Sequence, residues 1–247
     1  MQEQTLSSIK GILFDKDGTL FHFTRTWLPV VLDAADFAAG GDKGLADVLL
    51  SAGGLDLEKG CFLPDSLIAA GYSRELAEFW KDLGAVKTTG VLHEYIDDVF
   101  NRLGLSNAVP VTDLKRHFRF LKENGLMIGI ATNDSEAGAR ATVEAFGLAP
   151  MVSFVAGYDS GFGPKPGPGM AQAFCRLTGL DPENVVVVGD SEHDMTMARR
   201  AKAGMRIGVL TGAGTRESLR KSADLIIDDI ICLEALIFSD KQFITSL

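Results

Sequence analysis

The stretch GILFDKDGTLF, Gly11 to Phe21, sets an apolar run directly before two acids two positions apart, followed by Gly-Thr. GILF (11–14) is short and shows no alternation of apolar and polar residues, so it reads as a strand covered on both faces. Such strands belong to parallel sheets with helices above and below. Runs of the same kind recur at LMIGIAT (126–132), VSFVAG (152–157), VVVVG (185–189), MRIGVL (205–210) and ADLIID (223–228). Helix punctuation fills most of the gaps. Thr112 precedes DLKRHFRFLKEN, with Gly125 at its end, and Ser135 opens EAGARATVEAF, which Gly147 closes. Pro168 starts GMAQAFCRLT, closed by Gly179, and Ser191 opens EHDMTMARRAKA, closed by Gly204. The alternation predicts an α/β fold, a doubly wound and mostly parallel sheet.

The rhythm breaks between Phe21 and Ser106. No convincing strand appears there, only the helical patterns TWLPVVLDAADFAA, KGLADVLLSAG, PDSLIAAG, SRELAEFWKDLG and VLHEYIDDVFNRLG. Roughly 85 residues are too many for a connecting loop. They are expected to form an inserted all-helical domain over 21–105, entered and left near 20–24 and 105–112. The α/β core would then be 1–20 and 106–247.

Composition narrows the class. With 46% hydrophobic and 23% charged residues, the 247-residue chain has the make-up of a globular protein with a sizeable core. A net charge of -9 argues against a broad nucleic-acid surface, which needs clustered Lys and Arg, but leaves room for a small anionic ligand beside a local cation. Cys61, Cys175 and Cys232 are odd in number and lack metal-site spacing, which fits a reduced cytoplasmic setting. The polar start MQEQTLSSIK carries no signal core, and no run nears the ~20 apolar residues of a membrane span. No nucleic-acid or membrane partner is expected, and the protein is expected to be a monomer or homodimer.

In open α/β sheets, ligands bind beyond the carboxyl ends of the strands. Asp15 and Asp17 follow the first strand there, and Thr132, Asn133 and Asp134 the second. Lys165 lies in the loop GYDSGFGPKPGPG after the third, and Asp190, Ser191 and Asp194 follow the fourth. Asp15, Asp17, Asp190 and Asp194 would crowd negative charge, tolerable only with a cation or strongly raised pKa values. Oxygen ligands of this kind suit Mg2+. One of the paired acids can attack while the other, on a turn, reaches the leaving group as an acid. Lys165 can balance the attacking carboxylate and a phosphate. Thr132, with Asn133 and the N–H groups opening the next helix, can grip phosphate oxygens.

These residues resemble the four motifs of the haloacid dehalogenase superfamily, in order. FDKDGTL (14–20) is similar to the first, with Asp15 as nucleophile and Asp17 as acid/base. ATND (131–134) is similar to the second, with Thr132 on the phosphate. GPKPGP (163–168) supplies Lys165, and VVGDSEHD (187–194) supplies Asp190, which with Asp15 and Asp17 is expected to hold Mg2+, Asp194 in support. The insertion after the first motif resembles the helical cap of the phosphoglycolate-phosphatase-like branch. The resemblance implies a Rossmann-like core. It also implies a Mg2+-dependent phosphatase that acts on a small phosphorylated molecule, phosphoglycolate or a sugar phosphate, through an aspartyl-phosphate. An Asp at position 17 points to phosphatases and phosphomutases within the superfamily. A phosphomutase of the same fold, or a catalytically quiet phospholigand-binding module, are the alternatives.

Two departures stand out. Lys16 occupies a place where a hydrophobic residue is commoner, and it is expected to point away from the site. Phe21-His22-Phe23 replaces the usual acid followed by Ser or Thr. His193 is expected to be a solvated spectator, and Trp27 and Trp80 to serve packing. Lys59 and Ser66, in the loop GGLDLEKGCFLPDS (53–66), and Arg25 near the hinge are expected to be solvated, with substrate contact as the alternative.

Overall fold

The computed structural model describes residues 8–236. Strand β1 (Gly11–Phe14) comes first. It is followed by α1 (Phe23–Ala39), α2 (Lys43–Gly53), the two-residue strands β2 (Leu55–Asp56) and β3 (Cys61–Phe62), α3 (Leu67–Ala70), α4 (Ser73–Asp82) and α5 (Thr89–Ser106). The chain then alternates through α6 (Leu114–Glu123), β4 (Met127–Ala131), α7 (Glu136–Ala145), β5 (Val152–Ala156), α8 (Gly169–Thr178), β6 (Val185–Gly189), α9 (Glu192–Ala201), β7 (Met205–Val209), α10 (Arg216–Leu219) and β8 (Leu225–Ile227).

The sheet has six strands in the order β5-β4-β1-β6-β7-β8, all parallel. β1 is central and wholly buried. Its side chains divide between the two faces, as the pleat requires. Ile12 and Phe14 pack with Phe118, Ile130 and Val186 on one face, and Leu13 packs with Val187, Phe174 and Met197 on the other. Both faces are therefore covered, which is why the strand is apolar at every position.

Register fixes the rim. Phe14 pairs with Ile130 on one side and Val188 on the other. Asp15 N donates to Val188 O at 2.8 Å, and Thr132 N to Ala156 O at 3.0 Å. Asp15, Thr132 and Asp190 consequently leave the sheet at the same edge.

Helices α1 to α5 build their own apolar cluster, with Val30, Ala34, Leu49, Trp80, Leu92 and Ile96 at its centre. Trp80 is fully buried and donates Nε1–H to Leu49 O at 3.0 Å, a packing role. The chain passes between this cluster and the sheet twice, side by side. His22 N donates to Val109 O at 2.8 Å, and Val111 N to Leu20 O at 3.0 Å. No helix among the described residues is long and apolar enough to cross a membrane.

The structure corrects several local expectations. The helical segment contains a small antiparallel ribbon, β2 against β3. Asp113, not Thr112, caps α6 through its side chain. The left-handed residue that ends α9 is Lys202, at φ 61, two residues before Gly204.

One sheet glycine is needed for space. A Cβ at Gly129 would lie 2.7 Å from the Phe174 ring and 2.9 Å from Leu13. Gly129→Ala should therefore lower unfolding stability by about 1–3 kcal/mol, read as a lower urea midpoint at unchanged slope.

Candidate active site

Three segments bring four charged groups to the carboxyl edge. Asp15 follows β1, Lys165 lies in the loop after β5, Asp190 follows β6, and Asp194 sits in the first turn of α9. Lys165 Nζ donates to Asp15 Oδ1 at 2.5 Å and to Asp194 Oδ1 at 2.7 Å, with all three side chains nearly inaccessible. Asp194 faces inward because it belongs to a reciprocal capping box. Its Oδ2 accepts from Ser191 Oγ at 2.6 Å and from Ser191 N at 3.2 Å. Asp190 Oδ2 accepts from Ala213 N at 2.9 Å. Carboxylate oxygens of Asp15, Asp190 and Asp194 all lie within 4.8 Å of one another.

Glycines make room for Asp190. Gly18 turns the chain after β1 at φ 90, where a side chain is disfavoured, and a Cβ there would lie 2.5 Å from Asp190 Oδ2. A Cβ at Gly212, in the loop after β7, would overlap the same oxygen.

Burial dominates the electrostatics. It raises the Asp15 carboxyl to about 7; Lys165 pulls the other way, while Asp194 and Asp17 add to the rise. Asp190 is held well above the carboxylate range by burial, then by Asp15 and Asp194. Burial opposes the Lys165 ammonium, but Asp15 and Asp194 outweigh it and its pKa moves up. Asp15 Oδ2 is buried with no hydrogen-bond partner. Three carboxylates converging beside a single ammonium leave surplus negative charge, and that donor set fits a hard divalent cation with oxygen ligands, Mg2+ among them. Asp15 and Asp190 offer oxygens for it, whereas Asp194 is committed to Lys165 and Ser191.

The remaining predicted residues fall as follows. Asp17 lies outside that trio, and its Oδ2 pairs with Lys16 Nζ at 2.8 Å. Lys16 turns toward the site instead of away. Its Nζ also pairs with Asp134 Oδ2 at 2.9 Å and sits 5.4 Å from the Trp27 ring centroid. Thr132 is buried, and its Oγ1 accepts from Asp134 N at 3.0 Å. The Asn133 amide positions the Lys165 loop. Its Oδ1 accepts from Lys165 N at 2.8 Å, and its Nδ2 donates to Lys165 O at 3.1 Å and to Ala70 O at 2.8 Å.

One pocket joins this floor to the helical segment. Asp15, Asp17, Thr132, Asn133, Lys165, Asp190 and Asp194 line its base. Phe23, Trp27 and Val31 of α1, Ile68 of α3, Tyr72, Phe100 of α5 and Tyr158 of the loop after β5 form its wall. Trp27 thus faces the pocket as well as the helical cluster. Tyr158 OH donates to Asp97 Oδ2 at 3.0 Å, accepts from Ser73 Oγ at 3.1 Å, and meets His93 Nε2 at 3.1 Å. His193 is half-buried, with Nδ1 3.0 Å from Ala70 O, so it ties α9 to the helical segment. Lys59 is exposed and pairs with Asp56 at 2.9 Å. Lys59, Ser66 and Arg25 do not line the pocket.

Sequence reasoning missed the wall, the pairing of Lys16, the Tyr158 hub and the glycines of TGAGT (211–215). The last carried a usable signal: two glycines one residue apart, just after a strand, mark close approach of the backbone.

The model of the haloacid dehalogenase-like hydrolase family matches residues 9–202. The chain is 36% identical over 110 residues to "Probable phosphatase IndB" of Dickeya dadantii, a match covering 44% of this chain and 47% of that protein. It therefore spans about half of that relative's length. It is 28% identical over 221 residues to a phosphoglycolate phosphatase of Rhodospirillum rubrum, covering 89% of this chain and 87% of the relative. Two solved structures share the fold. CbbY from Rhodobacter sphaeroides, in complex with phosphate, superposes at a TM-score of 0.67 and 21% identity over 90% of this chain and 94% of that one. A hydrolase from Pseudomonas syringae gives a TM-score of 0.67 at 21% identity over 94% and 98%.

The charge crowding yields a prediction for the protein without added metal. Asp190→Asn removes a carboxyl that, without metal, must either ionise beside Asp15 and Asp194 or take up a proton to stay buried, while its amide oxygen can still accept from Ala213 N. It should raise the thermal midpoint in EDTA by about 2–4 °C and abolish the rise that the parent protein is expected to show in MgCl2. Melting curves with and without MgCl2 check both, and an unchanged magnesium response would reject the metal assignment.

Proposed function

We propose that this chain, which belongs to the haloacid dehalogenase-like hydrolase family, is a phosphoric monoester hydrolase that works through an aspartyl-phosphate on Asp15. The observation that carries the reading is the state of Asp15. One oxygen is fixed by Lys165 at 2.5 Å, and the other is buried without a partner on the pocket floor. A carboxylate so held has one free oxygen aimed at one place, which is what a nucleophile needs.

In the first step the free Asp15 oxygen forms a bond to phosphorus, and the bond from phosphorus to the ester oxygen breaks. Asp17 lines the pocket two residues away and protonates the departing oxygen. Burial raises the Asp17 carboxyl, although Lys16 opposes the rise. That environment suits a group that must carry a proton and then give it up. In the second step water attacks phosphorus, Asp17 takes the water's proton, and the bond to Asp15 breaks. The sum is ester plus water to alcohol plus phosphate, with both carboxyls restored.

Lys165 neutralises Asp15 and lies where the phosphoryl oxygens would gather. Thr132 grips those oxygens, since its Oγ1 accepts from Asp134 N and keeps its own proton to donate; the N–H groups of Asp134, Ser135, Glu136 and Gly138 at the start of α7 are already bound by side chains. Asp15 and Asp190 would hold Mg2+, with Asp194 fixing Lys165 beside them. The bound ion supplies positive charge next to the transferred group. The helical segment acts as the cap: Asn133 and His193 meet Ala70 O, and Tyr158 meets Ser73, His93 and Asp97. It limits water and selects the leaving group. The names of the relatives bring phosphoglycolate forward as a first substrate to assay, with sugar phosphates beside it.

Phosphate release from a panel of small phosphomonoesters in MgCl2 tests the activity, and two variants test the route. Asp15→Asn should lower kcat by at least about 10³-fold while the circular dichroism spectrum and melting stay cooperative; substantial residual turnover would exclude the covalent path. Asp17→Asn should cost about 10²–10⁴-fold, most with poor leaving groups and least with p-nitrophenyl phosphate. An equal loss across leaving groups would remove Asp17 from the proton transfer.

A further inference from the structure

The pocket floor and wall have opposite character. Asp15, Asp17, Asp134, Asp190 and Asp194 line the lower part, and Lys165 is the one lysine or arginine among the lining residues. Lys165 is already bonded to Asp15 and Asp194. The nearest second cation, Lys16, is only 4% exposed and consumed by Asp17 and Asp134. Arg25 and Lys59 are exposed and outside the lining.

The wall is aromatic and aliphatic, and its rings come in two pairs. Trp27 and Phe100 meet edge to face at 4.8 Å, and Tyr72 stacks on Tyr158 at 5.3 Å with 24° between planes. Val31 and Ile68 lie with them. The Tyr158 hydroxyl is occupied by Ser73, His93 and Asp97. Trp27 Nε1 is buried with no acceptor at hydrogen-bonding geometry, although its dipole favours the ionised Asp17. It is a neutral donor on a surface of rings and aliphatic chains whose other polar atoms include the Tyr72 and Tyr158 hydroxyls.

A substrate whose phosphoryl group reaches Asp15 must lay its leaving group against this wall. A carboxylate there would find no free lysine or arginine among the lining residues, and would lose its hydration. A flat or apolar neutral group would find aromatic faces and one N–H. We infer that the substrate is the monophosphate ester of an uncharged alcohol carrying a ring or comparable apolar surface, and not a phosphorylated carboxylic acid. This inference rests on the phosphatase reading and narrows its substrate class against the one that the relatives' names bring forward.

The test compares benzyl phosphate with phosphoglycolate, both esters of primary alcohols, using the full chain in MgCl2. Benzyl phosphate should show kcat/KM at least about 100-fold higher. Trp27→Ala should raise KM for benzyl phosphate about 10-fold with kcat changed far less, and Tyr72→Arg, at a partly exposed wall position, should narrow the preference about 10-fold by supplying a cation. Calorimetric binding to the Asp15→Asn protein reads the same preference without turnover. Phosphoglycolate handled as well as or better than benzyl phosphate would overturn the inference while leaving the phosphatase reading intact. No release from any phosphomonoester, with no binding of either ester, would remove the phosphatase reading and this inference together.

Discussion

Everything at the sheet edge follows from one constraint. Three carboxylates from two strand ends and a helix start meet within 4.8 Å in a place almost closed to water. Like charges at that spacing repel strongly, more so where the surroundings screen poorly. The fold holds them there because parallel register brings Asp15 and Asp190 out beside each other, and because Asp194 is trapped by its capping box with Ser191. Lys165 offsets part of the repulsion, and the asparagine that follows Thr132 grips its backbone from both sides. The surplus negative charge is a stored capacity for a cation and an anionic group that together complete the balance.

The fold was largely legible because its strands obey a simple rule. A strand covered on both faces has no polar position to spare, so GILF and VVVVG announce their extent by composition alone. What escaped depended on tertiary context. A ribbon two residues long, such as Leu55–Asp56 against Cys61–Phe62, offers no period to detect. Thr112 and Asp113 are both capable caps, and only the path of the incoming chain decides that Asp113 reaches Arg116 N. Lys202 takes a left-handed conformation that intrinsic preference assigns to glycine, closing α9 three residues before strand β7 begins.

The site divides along the same line. The floor could be read because each of its acids stands just past a strand or at a helix start, where position in sequence determines position in space. The wall could not. Whether Trp27 or Phe100 turns toward the pocket depends on how α1 and α5 rotate against one another, and an amphipathic pattern gives only the buried face, not the few buried residues that a pocket reaches. Trp27 serves both, touching the helical cluster and the pocket. Histidines show the same limit. His93 and His193 have no signature in the chain, since Tyr158 and Ala70 lie 65 and 123 residues away from them.

Lys16 connects the two halves of the site. Between two acids whose backbone sits at a strand end, an apolar residue would leave Asp17 and Asp134 facing each other across a buried gap. Lys16 bridges them instead, at 2.8 and 2.9 Å, and lies near the Trp27 ring. Burial works against its ammonium, but Asp134 and Asp17 outweigh burial and keep it charged. Its charge is therefore fully used within the floor. A lysine this close to the pocket would ordinarily be counted as a receptor for a second anionic group on the substrate. Here its two partners cancel that role, so the same residue that makes an acidic floor tolerable also leaves the aromatic wall without a cation. The lack of a free lysine or arginine along the pocket wall is thus a consequence of how the charge beneath it is balanced.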